Sequence, residues 1–121
     1  MRYENLYDDF IDLFPDDCHE IQKIAEAASA ETSDGMHIMF GKVVVPFLLE
    51  LLNGNKDSKL KVAFSFFEKM AMTNETEISE VLEFTVLEDL VSGGKGVLEK
   101  CKPYMGKRTL ESCAHVEKYL L

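Results

Sequence analysis

The chain has 121 residues, of which 22 are acidic and 13 are basic, and its formal net charge is −9. This length fits one domain over residues 1–121, because most domains have about 100–150 residues. Hydrophobic residues make up 46% and charged residues 29%, which argues against intrinsic disorder. The acidic excess disfavours direct binding to nucleic acid or to an anionic membrane, since both attract basic surfaces.

The cysteines and the N-terminus indicate a cytoplasmic protein. Cys18, Cys101 and Cys113 are an odd number, at spacings that do not suit a metal site, so we expect mostly buried, reduced thiols rather than disulfides. The first residues have neither the basic nor the apolar region of a secretion signal. The most apolar stretch, residues 43–52, is shorter than a membrane span requires.

Apolar residues recur at steps of three and four through most of the chain, which predicts an all-α fold. The first helix begins near Tyr3 and ends before Pro15, and the second begins after a cap at Asp17. The third covers residues 36 to about 52. Pro46 within it either kinks one long helix or starts the second of two short helices. We favour the kink, because the apolar pattern continues on both sides of the proline.

Four more helices are predicted after the turn at residues 53–55. One begins at a cap at Asp57 or Ser58, the next follows a cap at Asn74 and covers about 75–91, and the last two cover about 95–102 and 107–120. The 75–91 helix is apolar on two faces, with Phe84 and Leu87 on the second, as expected of a helix packed between neighbours. The predicted core includes Phe64, Phe67, Leu82, Leu87 and Leu90. The whole predicts six or seven antiparallel helices, arranged as an irregular HEAT-like or armadillo-like stack or as a bundle.

The negative charge is concentrated in two segments. Residues 1–34 hold ten acidic and two basic residues, and residues 75–91 hold six acidic residues and no basic one. Such a segment is either a solvated face that maintains solubility or a surface that attracts a basic protein. The candidate partner-binding residues are first Asp8, Asp9, Asp12, Asp16 and Asp17, and second Glu77, Glu80, Glu83 and Glu88.

No catalytic or metal-binding pattern is complete. His19-Glu20 begins like the HExxH motif of zinc proteases, but Lys23 stands where the second histidine belongs. The glycines at 93, 94 and 96 follow a helix rather than a strand, which does not suit a nucleotide-binding loop. His37 is isolated on an apolar segment, which is typical of a structural histidine. We therefore predict no catalytic residue, no metal and no cofactor, and expect that the protein is not an enzyme.

Four short motifs occur within residues 36–121. They are Met36-His37-x-Met39-Phe40-Gly41, Phe66-Phe67-Glu68, Leu87-Glu88-x-Leu90 and Pro103-Tyr104-Met105-Gly106-Lys107. In these motifs the chain resembles a family of small bacterial all-helical, HEAT-like proteins of unknown function. Similar small acidic helical proteins are immunity partners of polymorphic or contact-dependent inhibition toxins.

The resemblance implies a function but transfers no catalytic residue. It implies an immunity protein that neutralises a cognate toxin domain, a basic nuclease, by occluding its active site. Two alternatives stay open, namely a helical-repeat adaptor for another protein and a small enzyme with an unrecognised site. The toxin's identity, the mode of inhibition and the oligomeric state do not follow from the sequence.

Overall fold

The structure, a computed structural model, describes residues 1–120 apart from the side chain of Lys95. Within this range the protein forms seven α-helices and no β-strand, which confirms the predicted all-α fold. The helices are α1 Leu6–Ile11, α2 Cys18–Ala27, α3 Met36–Asn53, α4 Asp57–Met72, α5 76–92, α6 Lys95–Cys101 and α7 Lys107–Leu120. Short 3-10 turns precede α1, α2 and α3, and another follows α6. Leu121, the end of the predicted domain, lies outside the described residues.

Helix α3 is the central element of the fold. It contacts α1, α2, α4, α5 and α6, and its side chains Phe40, Val43, Val44 and Leu48 are completely buried. By length and composition alone this helix could also cross a membrane, but half of it is buried inside the fold. Packing against five neighbouring helices is sufficient to account for its apolar composition.

Helix α3 continues through Pro46, so the prediction of one helix rather than two is confirmed. The residues just before it, Phe40–Val44, form a π-turn, and the Val45 amide donates to the Phe40 carbonyl. Proline has no amide hydrogen and removes one bond from a regular helix. Here the proline follows a segment in which the α-helical bonding pattern is already interrupted. The π-turn and the proline thus interrupt the regular hydrogen bonding of α3 in the same region.

Helix α5 also contains a π-turn, at Leu82–Leu87, and it packs against α3, α4, α6 and α7. Leu82, Leu87 and Leu90 are completely buried, and Phe64 and Phe67 of α4 are at most 1% exposed, which confirms the predicted core. Phe84 differs, because 48% of it is exposed. A π-turn has more residues per turn than an α-helix, so Phe84 does not share a face with Leu87 as α-helical spacing predicts.

An aromatic cluster joins α1 to α3 and α4. The Phe10 ring is completely buried, and its centroid lies 5.1 Å from that of Phe14, 6.1 Å from Phe40, 5.4 Å from Phe66 and 5.8 Å from Phe67. Aromatic side chains bury large areas, and close pairs add further stabilisation. Phe10 therefore anchors the short α1, which has too few residues to be stable as an isolated helix.

A carboxylate on α4 caps the start of α7. Glu68 accepts hydrogen bonds from the backbone amides of Arg108 and Thr109, at 3.1 and 2.9 Å, and from the Thr109 hydroxyl at 2.8 Å. Burial by itself would raise the pKa of Glu68, but these hydrogen bonds lower it below the ordinary value. A Cβ at residue 106 would lie 2.5 Å from this carboxylate, so only Gly106 allows the close approach.

No side chain caps α2, α4 or α5, so the three predicted capping bonds do not form, although Asp17 is the N-cap residue of α2 as predicted. The carboxylates of Asp17 and Asp57 form tertiary contacts instead, with Lys59 and with the Tyr104 hydroxyl. The N-cap residue of α5 is Glu75 rather than Asn74, and the Glu75 amide donates to the Thr73 hydroxyl at 3.2 Å. Partners distant in sequence thus outcompete the local caps that the sequence pattern suggests.

Replacing Phe10 with alanine should lower the free energy of unfolding by about 3–5 kcal/mol, because it leaves a cavity among four rings. The matched control is Phe84→Ala, which removes the same atoms from an exposed site and should cost less than about 1 kcal/mol. Urea denaturation of both variants measures the difference. Equal losses in the two variants would contradict the anchoring role of Phe10.

Replacing Glu68 with glutamine should destabilise the protein by about 1 kcal/mol at pH 7, since the charged cap of α7 is lost. A carboxyl whose pKa is lowered on folding stabilises above its ordinary value of 4.5, and that stabilisation is lost as the pH falls through the folded pKa. Thermal unfolding from pH 3 to 7 should therefore show the parent and the variant converging at acid pH. The control, Glu111→Gln in the exposed part of α7, should match the parent throughout.

Candidate partner-binding surface

Four of the five first-ranked aspartates lie together at one end of the chain and are exposed. We call Asp8, Asp9, Asp12 and Asp16 the N-terminal acidic surface. Asp8 and Asp9 belong to α1, and Asp12 directly follows it. These three side chains point outward because the opposite face of α1, formed by Leu6, Tyr7 and Phe10, is buried. Within residues 1–120 no ion pair involves any of the four carboxylates.

The fifth, Asp17, has a structural contact. The Lys59 ammonium lies 3.0 Å from its Oδ1 and 2.8 Å from its Oδ2, and 19% of the aspartate side chain is exposed. This ion pair connects the turn before α2 to α4. Asp17 therefore helps to hold the acidic surface in place. Its carboxylate is already paired with Lys59, so we do not count it as part of that surface.

Asp12 is the one member of the surface without a favourable local role. Asp8 and Asp9 lie in the first turn of α1, and Asp16 lies in the turn that leads into α2, where a helix dipole stabilises negative charge. Asp12 follows the C-terminal end of α1, where the dipole disfavours an acid, and it stands four residues after Asp8. Like charges at this spacing repel each other. From its position we therefore expect the charge of Asp12 to reduce the stability of the free protein.

The second-ranked acidic residues on α5 are less accessible. Glu77 is exposed, whereas Glu80, Glu83 and Glu88 are half-buried. Glu88 accepts a hydrogen bond of 2.9 Å from the Tyr119 hydroxyl. Desolvation, together with this bond and the nearby acidic charges, raises the pKa of Tyr119 to about 12. Glu88 thus links α5 to α7, and the α5 residues form a less open surface than the aspartates of α1.

A groove along α4 was missed by the sequence analysis. Two clefts of about 780 and about 250 Å³ lie side by side and share Lys61 and Ser65. We call the pair the α4 groove. The sequence contains one sign of this groove, because the spacing of four between Lys61, Ser65 and Lys69 places them on one face of α4. It does not reveal that Lys100 of α6 also lines the larger cleft, because that juxtaposition depends on the tertiary fold.

His37 forms a structural contact. Its Nδ1 atom lies 2.6 Å from the Thr85 hydroxyl, which joins the start of α3 to the π-turn of α5. A Cβ on Gly41 would lie 3.2 Å from Thr85 Cγ2, so the glycine lets the two helices approach closely. His37 therefore has a structural contact between α3 and α5.

The two buried cysteines, Cys101 and Cys113, are not reactive thiols. Cys18 is exposed, while Cys101 and Cys113 are buried, and all three are free. Burial raises the pKa of Cys101 to about 12 and that of Cys113 to about 11, which keeps both thiols protonated and weakly nucleophilic. Within the described part of the chain, no group of three or more histidine, cysteine or acidic side chains is placed to hold a metal ion.

Comparison with protein families finds one match. A family model described as a domain of unknown function (DUF7674) matches residues 7–120, from α1 to the end of α7. The chain belongs to this family. No curated protein and no solved structure matches the chain. The family description names no activity, ligand or partner.

Replacing Asp12 with asparagine should raise the free energy of unfolding by about 0.5 kcal/mol, because it removes repulsion from Asp8 and from the end of α1. The matched control is Asp16→Asn, which changes the net charge equally but at the start of α2, and it should not stabilise the protein. Thermal unfolding at low ionic strength measures both variants. Equal stabilisation by both would attribute the effect to net charge and contradict the argument from position.

Proposed function

We propose that this protein is an immunity protein that binds a basic toxin domain of the nuclease type and neutralises it by occluding its active site. The observation that carries the proposal is the N-terminal acidic surface. Four exposed carboxylates have no ion-pair partner in the described residues, and three of them project from α1 or its end, whose other side is anchored in the core. Such a surface suits a partner of opposite charge.

The unfavourable position of Asp12 supports a binding role. An exposed charge that lowers the stability of the free protein is expected where the residue serves an interaction. A basic partner would reverse the sign of its contribution, because the positive charges on the partner offset the repulsion between Asp8 and Asp12. The negative charge of Asp12 would then both lower the stability of the free protein and strengthen the complex.

The surface also offers an apolar contact. Leu13 follows Asp12 directly and is 42% exposed. Protein interfaces commonly combine a few apolar anchors with a surrounding polar rim. An interface of ordinary size covers about 800 Å² on each partner, so α2 must contribute together with the short α1.

A helical adaptor is the second candidate function, and the α4 groove is the observation that favours it. The groove differs from the acidic surface in charge and in shape. It therefore suits a different kind of partner, and the two candidate functions make separate experimental predictions.

Co-expression tests the immunity function. We expect the C-terminal domain encoded by the neighbouring upstream gene to be toxic to cells, and co-expression of this protein to restore growth. The triple variant Asp8→Lys, Asp9→Lys, Asp12→Lys should abolish protection. Its association with the purified toxin domain should be more than about tenfold slower than that of the parent at low salt, because charge reversal removes electrostatic steering.

The control is the triple variant Glu75→Lys, Glu99→Lys, Glu111→Lys, which changes the net charge by the same amount at exposed sites outside the acidic surface. It should still protect. Loss of protection in both triple variants would assign the effect to net charge alone. A neighbouring gene product that neither kills cells nor binds this protein would overturn the immunity function.

A further inference from the structure

The two clefts of the α4 groove adjoin each other along α4. Lys61, Ser65 and Lys69 stand one helical turn apart along α4 and form one row beside the clefts. Lys61 and Ser65 line both clefts. Ser65, which is small and exposed, lies where the two clefts meet.

The charge of the groove is opposite to that of the protein as a whole. Lys61, Lys69 and Lys100 line it, although the chain has a net charge of −9. Asp57 also lines it, paired with Lys61 at 3.2 Å and hydrogen-bonded by the Tyr104 hydroxyl at 2.8 Å. Within residues 1–120 no ion pair involves Lys69 or Lys100. Two ammonium groups are thus available to an anionic ligand.

One end of the groove, the smaller cleft, has apolar side chains beside Lys61 and Lys69. Leu13 and Val62 are 42% and 39% exposed, and the buried Phe66 lines the same cleft. Large apolar side chains exposed together next to a cleft favour contact with an apolar group. The ligand that fits the groove therefore carries negative charge over part of its length and apolar side chains at one end.

We propose that the α4 groove binds a peptide segment of another protein that combines several carboxylates with large apolar side chains. Its carboxylates pair with Lys69 and Lys100, and an apolar side chain packs against Leu13, Val62 and Phe66. An inorganic anion or a nucleic acid would use the lysines but leave these apolar side chains uncovered. The inference does not depend on the immunity function, because it rests on Lys69 and Lys100, which lie outside the acidic surface, although Leu13 borders both surfaces.

Fluorescence polarisation with labelled synthetic peptides of about ten residues tests this inference on the full chain. The probe set contains glutamate-rich peptides with one phenylalanine and one leucine in different orders, and matched peptides with glutamine for glutamate or serine for the apolar residues. At least one acidic apolar peptide should bind, and each of its two matched peptides should bind at least tenfold more weakly.

Two kinds of variant locate the binding site. The double variant Lys69→Glu, Lys100→Glu should weaken binding at least tenfold, whereas Lys107→Glu, Lys118→Glu, with the same change in net charge, should bind like the parent. Ser65→Trp, at an exposed site that tolerates a large side chain without unfolding, should also weaken binding by filling the place where the two clefts meet. Circular dichroism verifies that each variant is folded.

Three results would overturn the proposal. They are the failure of every acidic apolar peptide to bind, equal binding by the Lys69/Lys100 variant and the parent, and equally strong binding of inorganic phosphate or single-stranded DNA. None of these results bears on protection against a toxin, so the two proposals fail separately.

Discussion

The burial of Phe10 is the interaction on which both proposed surfaces depend. Its ring packs on Phe40 of α3 and on Phe66 and Phe67 of α4, and so fixes the short α1 to the central part of the fold. The aspartates of α1 are held on one side of this contact. On the other side, Phe66 forms part of the α4 groove. One apolar cluster thus positions two surfaces of opposite charge.

A few polar contacts supplement this packing at helix ends. Asp17 and Lys59 join the turn before α2 to α4, Glu68 joins α4 to the first turn of α7, and Tyr119 joins the end of α7 to Glu88 of α5. The first two contacts satisfy half-buried carboxylates and helix-end amides, whereas the Tyr119 bond is exposed. Apolar packing provides most of the stability, and these bonds determine how the helix ends are aligned.

Sequence periodicity was sufficient to predict the helices, because burial on one face imposes a spacing of three and four along almost the whole chain. It failed where the bonding pattern changes, as for Phe84 in the π-turn of α5. Local cap patterns also failed, since the Asp17 and Asp57 carboxylates have partners more than forty residues away. The exposure of Asp8, Asp9 and Asp12 followed from the helical pattern. The α4 groove did not, because it requires α6 and the turn after it to lie beside α4.

The two π-turns determine where the length of this chain can vary. Each turn contains one more residue than regular α-helical bonding needs. Deleting one residue within Phe40–Val44 or Leu82–Leu87 restores regular bonding and leaves the helix on either side facing the same way. A deletion elsewhere in α3 rotates every later side chain by about 100° and moves buried residues such as Leu48 toward solvent. Members of the family that are one residue shorter in α3 or α5 are therefore expected to have lost that residue at a π-turn.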